Sequence, residues 1–379
     1  MKEITRRDFL KVLGAASALI TFSGRGASLV SIGDDARPFE FLVIGDSLIW
    51  GQGLNEKDKF YSLTADWLRN ELFAGRRTVN LKVKAHSGAT LKFHPDEAEK
   101  YRKAQCPENF FHPPEVTLGF PSIWKQLDDA ADEYRSAGDA NGADLIMLTG
   151  GITDISVAKV LDPRGDDSKL RPLIVKYCRD DMFDVLAHAA ELNPNATIAV
   201  VGYFPMLSPK TPGSRLFNSW LESMRFPHFL KPIANNPVTR KLFFNKMRKS
   251  GIRRSRIWFE ESNRNLQIAV ERFNATSKGA KSIFIRSPLT EDNSLETPNT
   301  LLFRMKGSKV EDPLFETRVA QCDTTLTELK RTTGIDYPVR TCEIAGVGHP
   351  DPAGAAAYAE AIKKSLGSDI IFLKRSRSI

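Results

Sequence analysis

Cysteine and histidine are scarce in this chain of 379 residues, which has four of one and six of the other. No Cys-x-x-Cys pair or Cys/His spacing of the zinc-binding kind occurs, so neither a structural metal nor a cofactor is expected. No Gly-x-Gly-x-x-Gly opens a helix, and the glycines between Gly45 and Gly53 lack the Lys-Ser/Thr of a phosphate loop. Nucleotide binding of those two kinds is therefore excluded. Internal repeats and low-complexity tracts are absent. Beyond Phe22 no run is long and apolar enough to span a bilayer, which takes about 20 residues. The charge balance is only moderately one-sided, at +8. It favours anionic surfaces without pointing to nucleic acid, which is not expected as a partner.

What is present is a strand–helix alternation. Phe39 to Gly45 is apolar almost throughout, and Asp144 to Thr149, Thr197 to Tyr203 and Lys281 to Arg286 are similar short runs. Val79 to Ala85 alternates apolar with polar residues. Continuous apolar runs bounded by Gly or Asp suit strands buried on both faces. Helical periodicity fills the gaps at Lys59 to Leu72, Ser122 to Ala137, Leu173 to Leu192 and Asn263 to Thr276. A last helix is expected after Asp351-Pro352, a good N-cap followed by a residue suited to the first helical position. The fold class expected is α/β, with a parallel sheet of about five strands covered on both faces. Ligands of such sheets sit at the carboxyl ends of the strands.

One main domain is expected over residues 37–368, with an insertion at about 208–257 and a basic tail at 369–379. The insertion carries twelve Lys and Arg against the single acid Glu222, with aromatic and aliphatic residues interleaved. It reads either as a solvated basic loop or as a docking surface for anionic lipid or polysaccharide. A second poorly fitting stretch, His86 to Gly119, contains His94, His112 and Pro113-Pro114.

The first 30 residues resemble a twin-arginine export signal: Arg6-Arg7-Asp8-Phe9-Leu10-Lys11 precedes a short apolar run from Val12 to Phe22. That resemblance implies a periplasmic or extracellular protein, anchored in the membrane if the segment stays uncleaved. Outside the cytoplasm an even cysteine count permits disulfides. Cys322 and Cys342, which flank a segment rich in Thr and Lys, are the first pair expected.

Four blocks carry the chemistry. The first strand runs into Gly45-Asp46-Ser47-Leu48. The second is followed by His86-Ser87-Gly88, the third by Gly151-Ile152-Thr153-Asp154, and the last helix is preceded by Gly346-Val347-Gly348-His349-Pro350. The Gly-x-Ser-x-Gly elbow of α/β-hydrolases is absent around Ser47. In order and spacing the four blocks resemble the GDSL/SGNH family of esterases and lipases, over residues 39 to about 365. That resemblance implies a flavodoxin-like three-layer α/β/α fold and acyl-group chemistry. It implies Ser47 as nucleophile, His349 as general base, and the backbone N–H groups of Ser47 and Gly88 as oxyanion donors. Two positions depart from the family. Thr153 stands where an asparagine would donate to the oxyanion, and Gly346 stands where the triad acid would be.

Acyl transfer needs a nucleophile, a base and oxyanion donors, and these survive both departures. The Thr153 hydroxyl can donate one hydrogen bond, over a shorter reach than asparagine. Glu343 is a candidate orienting acid, whereas Asp351 suits the cap of the last helix. His86, beside Gly88, is a candidate pocket residue, and His188 fits a structural place on its helix. The expected function is an exported serine esterase acting on a lipid or carbohydrate ester. An acyltransferase, or a ligand-binding protein on the same fold, is the competing reading.

Overall fold

The computed structural model describes residues 37–93, 112–212, 237–369 and 372. The export-like segment, Cys106, His94, the middle of the basic insertion and the tail beyond 372 lie outside the described residues.

Five strands form one parallel sheet: β1 Phe39–Gly45, β2 Val79–Val83, β3 Leu145–Thr149, β4 Thr197–Val201 and β5 Lys281–Ile285, in the order β2-β1-β3-β4-β5. All five fall within the runs read from sequence. β1, β3 and β4 are buried at every residue, which is why they lack polar alternation. Edge strand β2 is less buried, with Val79 buried, Asn80 exposed and Leu81 to Val83 half-buried. The order is that of flavodoxin-like doubly wound sheets, and the chain reverses direction between β2 and β3.

Right-handed crossovers turn that reversal into two helical layers. The β1–β2 connection carries Phe60–Trp67, extended by a wider turn over Leu68–Leu72, and the last helix, Pro352–Ser368, packs against it. The opposite layer holds Ile123–Ser136, the nearly continuous helical stretch from Asp167 to Leu192, and Pro237–Thr276. The three-layer α/β/α fold expected from the sequence is therefore present.

Three differences from the sequence reading have physical causes. The helix read as starting at Leu173 starts at Asp167, because the Asp166 carboxylate caps it there, and it runs on through Pro172 in its second turn. The stretch 208–257 does not end at a domain edge. Its last two fifths belong to the 40-residue helix Pro237–Thr276, where Arg254 and Trp258 are buried in the main core. Arg254 donates to Asp167 at 2.9 Å and to the carbonyls of Lys159 and Val160, so one cation counted toward a docking surface is internal. Finally, Phe315–Thr333 is a helix that the sequence reading did not find. The Cys322 and Cys342 sulfurs are bonded, Cα to Cα 5.9 Å, which ties that helix to the turn Val339–Glu343. The disulfide sits in a small apolar cluster with Val116, Leu118 and Phe120. Among the described residues no helix is long and apolar enough to cross a membrane.

Candidate active site

β1 ends on Gly45, which pairs with Thr149 at the end of β3. The chain then turns sharply. Asp46 caps the single helical turn Ser47–Trp50, its Oδ1 accepting from the Leu48 N–H at 3.0 Å. The same buried carboxylate accepts from the Thr149 hydroxyl at 2.7 Å and the Tyr203 hydroxyl at 2.6 Å. Burial pushes its proton affinity up, and the Tyr203, Thr149 and Leu48 donors partly offset this. Ser47 thus follows a residue pinned to three elements.

His349 arrives from the far end of the chain. The segment before the last helix is zipped to residues 301–303: Phe303 N donates to His349 O at 2.8 Å, Gly348 N to Phe303 O at 2.9 Å, and Asp351 N to Leu301 O at 2.9 Å. Asp351 caps the Pro352–Ser368 helix through Gly354 N, at 2.9 Å. The structure brings His349 Nε2 within 2.8 Å of Ser47 Oγ across 302 residues of sequence. The His349 side chain keeps partial exposure, while its Nδ1 is buried and has no hydrogen-bond partner among the described residues. Burial, then the positive charge of Arg318, lower its pKa to about 4; the backbone carbonyls of Gly346, Ala345 and Val347 pull the other way.

Glu343 is not brought to the imidazole. Its carboxylate accepts from Arg340 at 2.9 Å, and its carbonyl from Arg318 Nε at 2.9 Å. Its place on the helical turn Val339–Glu343 directs it to a neighbour one turn away instead.

Gly88 lies beside the loop of Ser47, because His86 N donates to Gly45 O at 3.1 Å. The N–H groups of His86, Ser87, Ala89 and Thr90 are all bonded to backbone carbonyls, whereas that of Gly88 is not, among the described residues. Ser47 N–H, in the first turn of its helix, likewise has no backbone acceptor there. Gly88 has φ +83°, and a Cβ would meet the Leu118 carbonyl oxygen at 2.5 Å. Both the turn and the close approach require glycine. Thr153 is half-buried on the turn Ile152–Ile155, directly after β3, and its hydroxyl bonds to no described residue. The Asp154 carboxylate accepts from Leu91 N at 3.2 Å and so ties the loop after β3 to the loop after β2.

His86 packs edge-on to His112, with ring centroids 4.9 Å apart, and its pKa is lowered to about 3 by burial, His112 and Lys84. His188 stacks on Trp124 and bonds to Asp128 at 2.7 Å, a structural arrangement.

Sequence reasoning missed two groups. Asp46 was visible as part of its motif, but its partners Thr149 and Tyr203 were not. The second group is a buried ion cluster. Arg318 donates to Glu115 at 2.9 Å and to both oxygens of Asp312 at 3.1 and 2.5 Å. Nothing in the local sequence of these three residues links them.

No family model matches the chain, and no curated protein does. Among solved structures the fold is similar to an extracellular lipase from Streptomyces rimosus (12% identity, 86% of this chain and 99% of that one, TM-score 0.41). It is also similar to phospholipase A1 from Streptomyces albidoflavus NA297 (12%, 86% and 99%, TM-score 0.40). An acetyl-xylooligosaccharide esterase from Geobacillus is a third (11%, 87% and 95%, TM-score 0.34). At this distance the function rests on the geometry of the chain's own site.

Proposed function

We propose that this chain is an exported serine ester hydrolase that works through a covalent acyl-enzyme. The observation that carries this is the 2.8 Å contact between Ser47 Oγ and His349 Nε2 at the carboxyl ends of the strands. In the proposed reaction His349 Nε2 takes the Ser47 proton as Oγ attacks the acyl carbon. The oxyanion meets the N–H groups of Ser47 and Gly88, with the Thr153 hydroxyl as a third donor. The same Nε2 returns its proton to the departing alcohol, and water repeats the sequence to release the acid. An alcohol in place of water would make the chain an acyltransferase.

The substrate class proposed is a small-molecule, lipid or carbohydrate ester. The basic stretch within 208–257 supports contact with an anionic surface, and the twin-arginine-like start supports export to the periplasm or beyond. Thr153 and Gly346 favour the second reading, a ligand-binding protein with little catalysis. Hydrolysis of p-nitrophenyl acetate, butyrate and palmitate, beside Ser47→Ala and His349→Ala, separates the two. Activity lost in both variants is expected; equal rates in all three proteins would sink the hydrolase reading.

A further inference from the structure

Gly346 occupies the position of the missing acid, and its surroundings account for the absence. Its φ lies outside the left-handed region, so the backbone does not demand glycine. Space does. A Cβ there would lie 2.6 Å from Asp312 Oδ2 and 2.9 Å from Arg318 Nη2. Both side chains are fully buried and paired with each other. The volume that an acid at 346 would enter is already filled by a carboxylate and a guanidinium from another part of the chain.

That pair belongs to a network reaching both reactive loops. On the nucleophile's side, Glu115 accepts from Trp50 Nε1 at 2.7 Å and from Gly53 N at 2.9 Å, and its carbonyl accepts from Gln52 Nε2 at 2.9 Å. On the base's side, Arg318 Nε holds the Glu343 carbonyl at 2.9 Å, and Gly346 rests against Arg318 and Asp312. Asp312 is fixed further by Leu314 N at 3.0 Å. One guanidinium therefore connects residues 50–53 to residues 343–346. No carboxylate bonds to the imidazole among the described residues; the groups that favour its protonation are the backbone carbonyls of Gly346, Ala345 and Val347.

We propose that Arg318 is the positioning residue of this site: with Asp312 and Glu115 it clamps the loop carrying His349 onto the loop carrying Ser47, in place of an acid bonded to the imidazole. The proposal rests on the Ser–His reading above. The charged groups around the base are Arg318 itself, Asp312, Glu115, and the Arg340–Glu343 pair on the adjoining turn. Arg318 is the charge among them that acts against protonation of His349.

Two substitutions separate clamp from charge. Arg318→Lys keeps a cation but cannot bridge two carboxylates and a carbonyl at once. The combination Glu115→Gln, Asp312→Asn and Arg318→Met removes all three charges together, which buried clusters tolerate better than loss of one member. Both are expected to lower kcat of the folded protein about 10- to 100-fold, the scale of a small misplacement of reacting groups, with KM within about threefold. The acid limb of kcat/KM should stay in place in Arg318→Lys, which keeps the cation, and shift in the neutral combination, which removes it together with two carboxylates of opposite effect. Gly346→Asp, which restores the family's residue, should lower kcat because it collides with the clamp. A fall in Tm with kcat and acid limb unchanged in both cluster variants would make Arg318 merely structural and overturn the proposal. So would a higher kcat in Gly346→Asp. If Ser47→Ala and His349→Ala themselves retain activity, the Ser–His reading is what has failed.

Discussion

In the proposed reaction the base must be neutral to act, which sets the lowest pH at which the site works. An imidazole at its ordinary value of 6.5 is mostly protonated at pH 5.5, whereas His349, lowered to about 4, is mostly free base there. The acid limb of kcat/KM, which reports the free enzyme, is therefore expected between about pH 4 and 5. Between pH 8 and pH 5.5 the rate should fall less than about twofold, where an ordinary histidine would lose about tenfold. The assay is the initial rate of p-nitrophenyl acetate hydrolysis across pH 4–9, read at a wavelength insensitive to phenol ionisation. The same shift bears on stability. The unfolded chain takes a proton on this histidine near 6.5, and the folded chain resists until about 4, so folding weakens as pH falls through that window. Full burial of the ring would make the loss about 3 kcal/mol, and the partial exposure of His349 reduces it. Above pH 6.5 this group contributes nothing to the pH dependence. An acid limb at 6.5 or higher would refute the reasoning, because it would mean that the Arg318 charge and the burial of Nδ1 do not govern the base.

Three further expectations concern the supports of the site. Gly88→Ala should reduce kcat about 100-fold or more, since the new Cβ must push either Leu118 or the oxyanion N–H out of place; unchanged kcat would remove Gly88 from the oxyanion site. Asp46→Ala should lower stability by about 2–4 kcal/mol in urea unfolding, because it removes a cap and leaves the Thr149 and Tyr203 hydroxyls without their acceptor; a change below about 0.5 kcal/mol would contradict the network. Reduction of Cys322–Cys342, or Cys322→Ala with Cys342→Ala, should cost about 2–5 kcal/mol, seen as a lower Tm under reductant than without it.

The sheet was legible because its strands are short apolar runs punctuated by Gly and Asp, and burial on both faces leaves few other sequences. The helices on it were legible by periodicity, with errors at their ends where capping decides, as at Asp166. The places of Ser47, Gly88 and His349 were legible because each sits beside a strand end or a helix cap that fixes its backbone; their roles belong to the proposed reaction. The clamp was not. Glu115 lies 203 residues from Arg318, its helix was not recognised, and an isolated arginine among threonines reads as solvated surface. The third donor was read only as a position, and the sequence could not give the reach of a threonine hydroxyl. Glu343 was misplaced because proximity in sequence to His349 suggested a contact that the intervening turn prevents.

The 302-residue separation between Ser47 and His349 also governs when the chain can act. The turn of Ser47 and its buried Asp46 lie early in the sequence, whereas His349 is held by the pairing of residues 301–303 with residues 348–351 near its end. Contacts of such long range form late and slowly in folding. In the proposed reaction, a half-folded chain would therefore hold a serine with no base. Ester hydrolysis should report completed folding more stringently than secondary-structure content does.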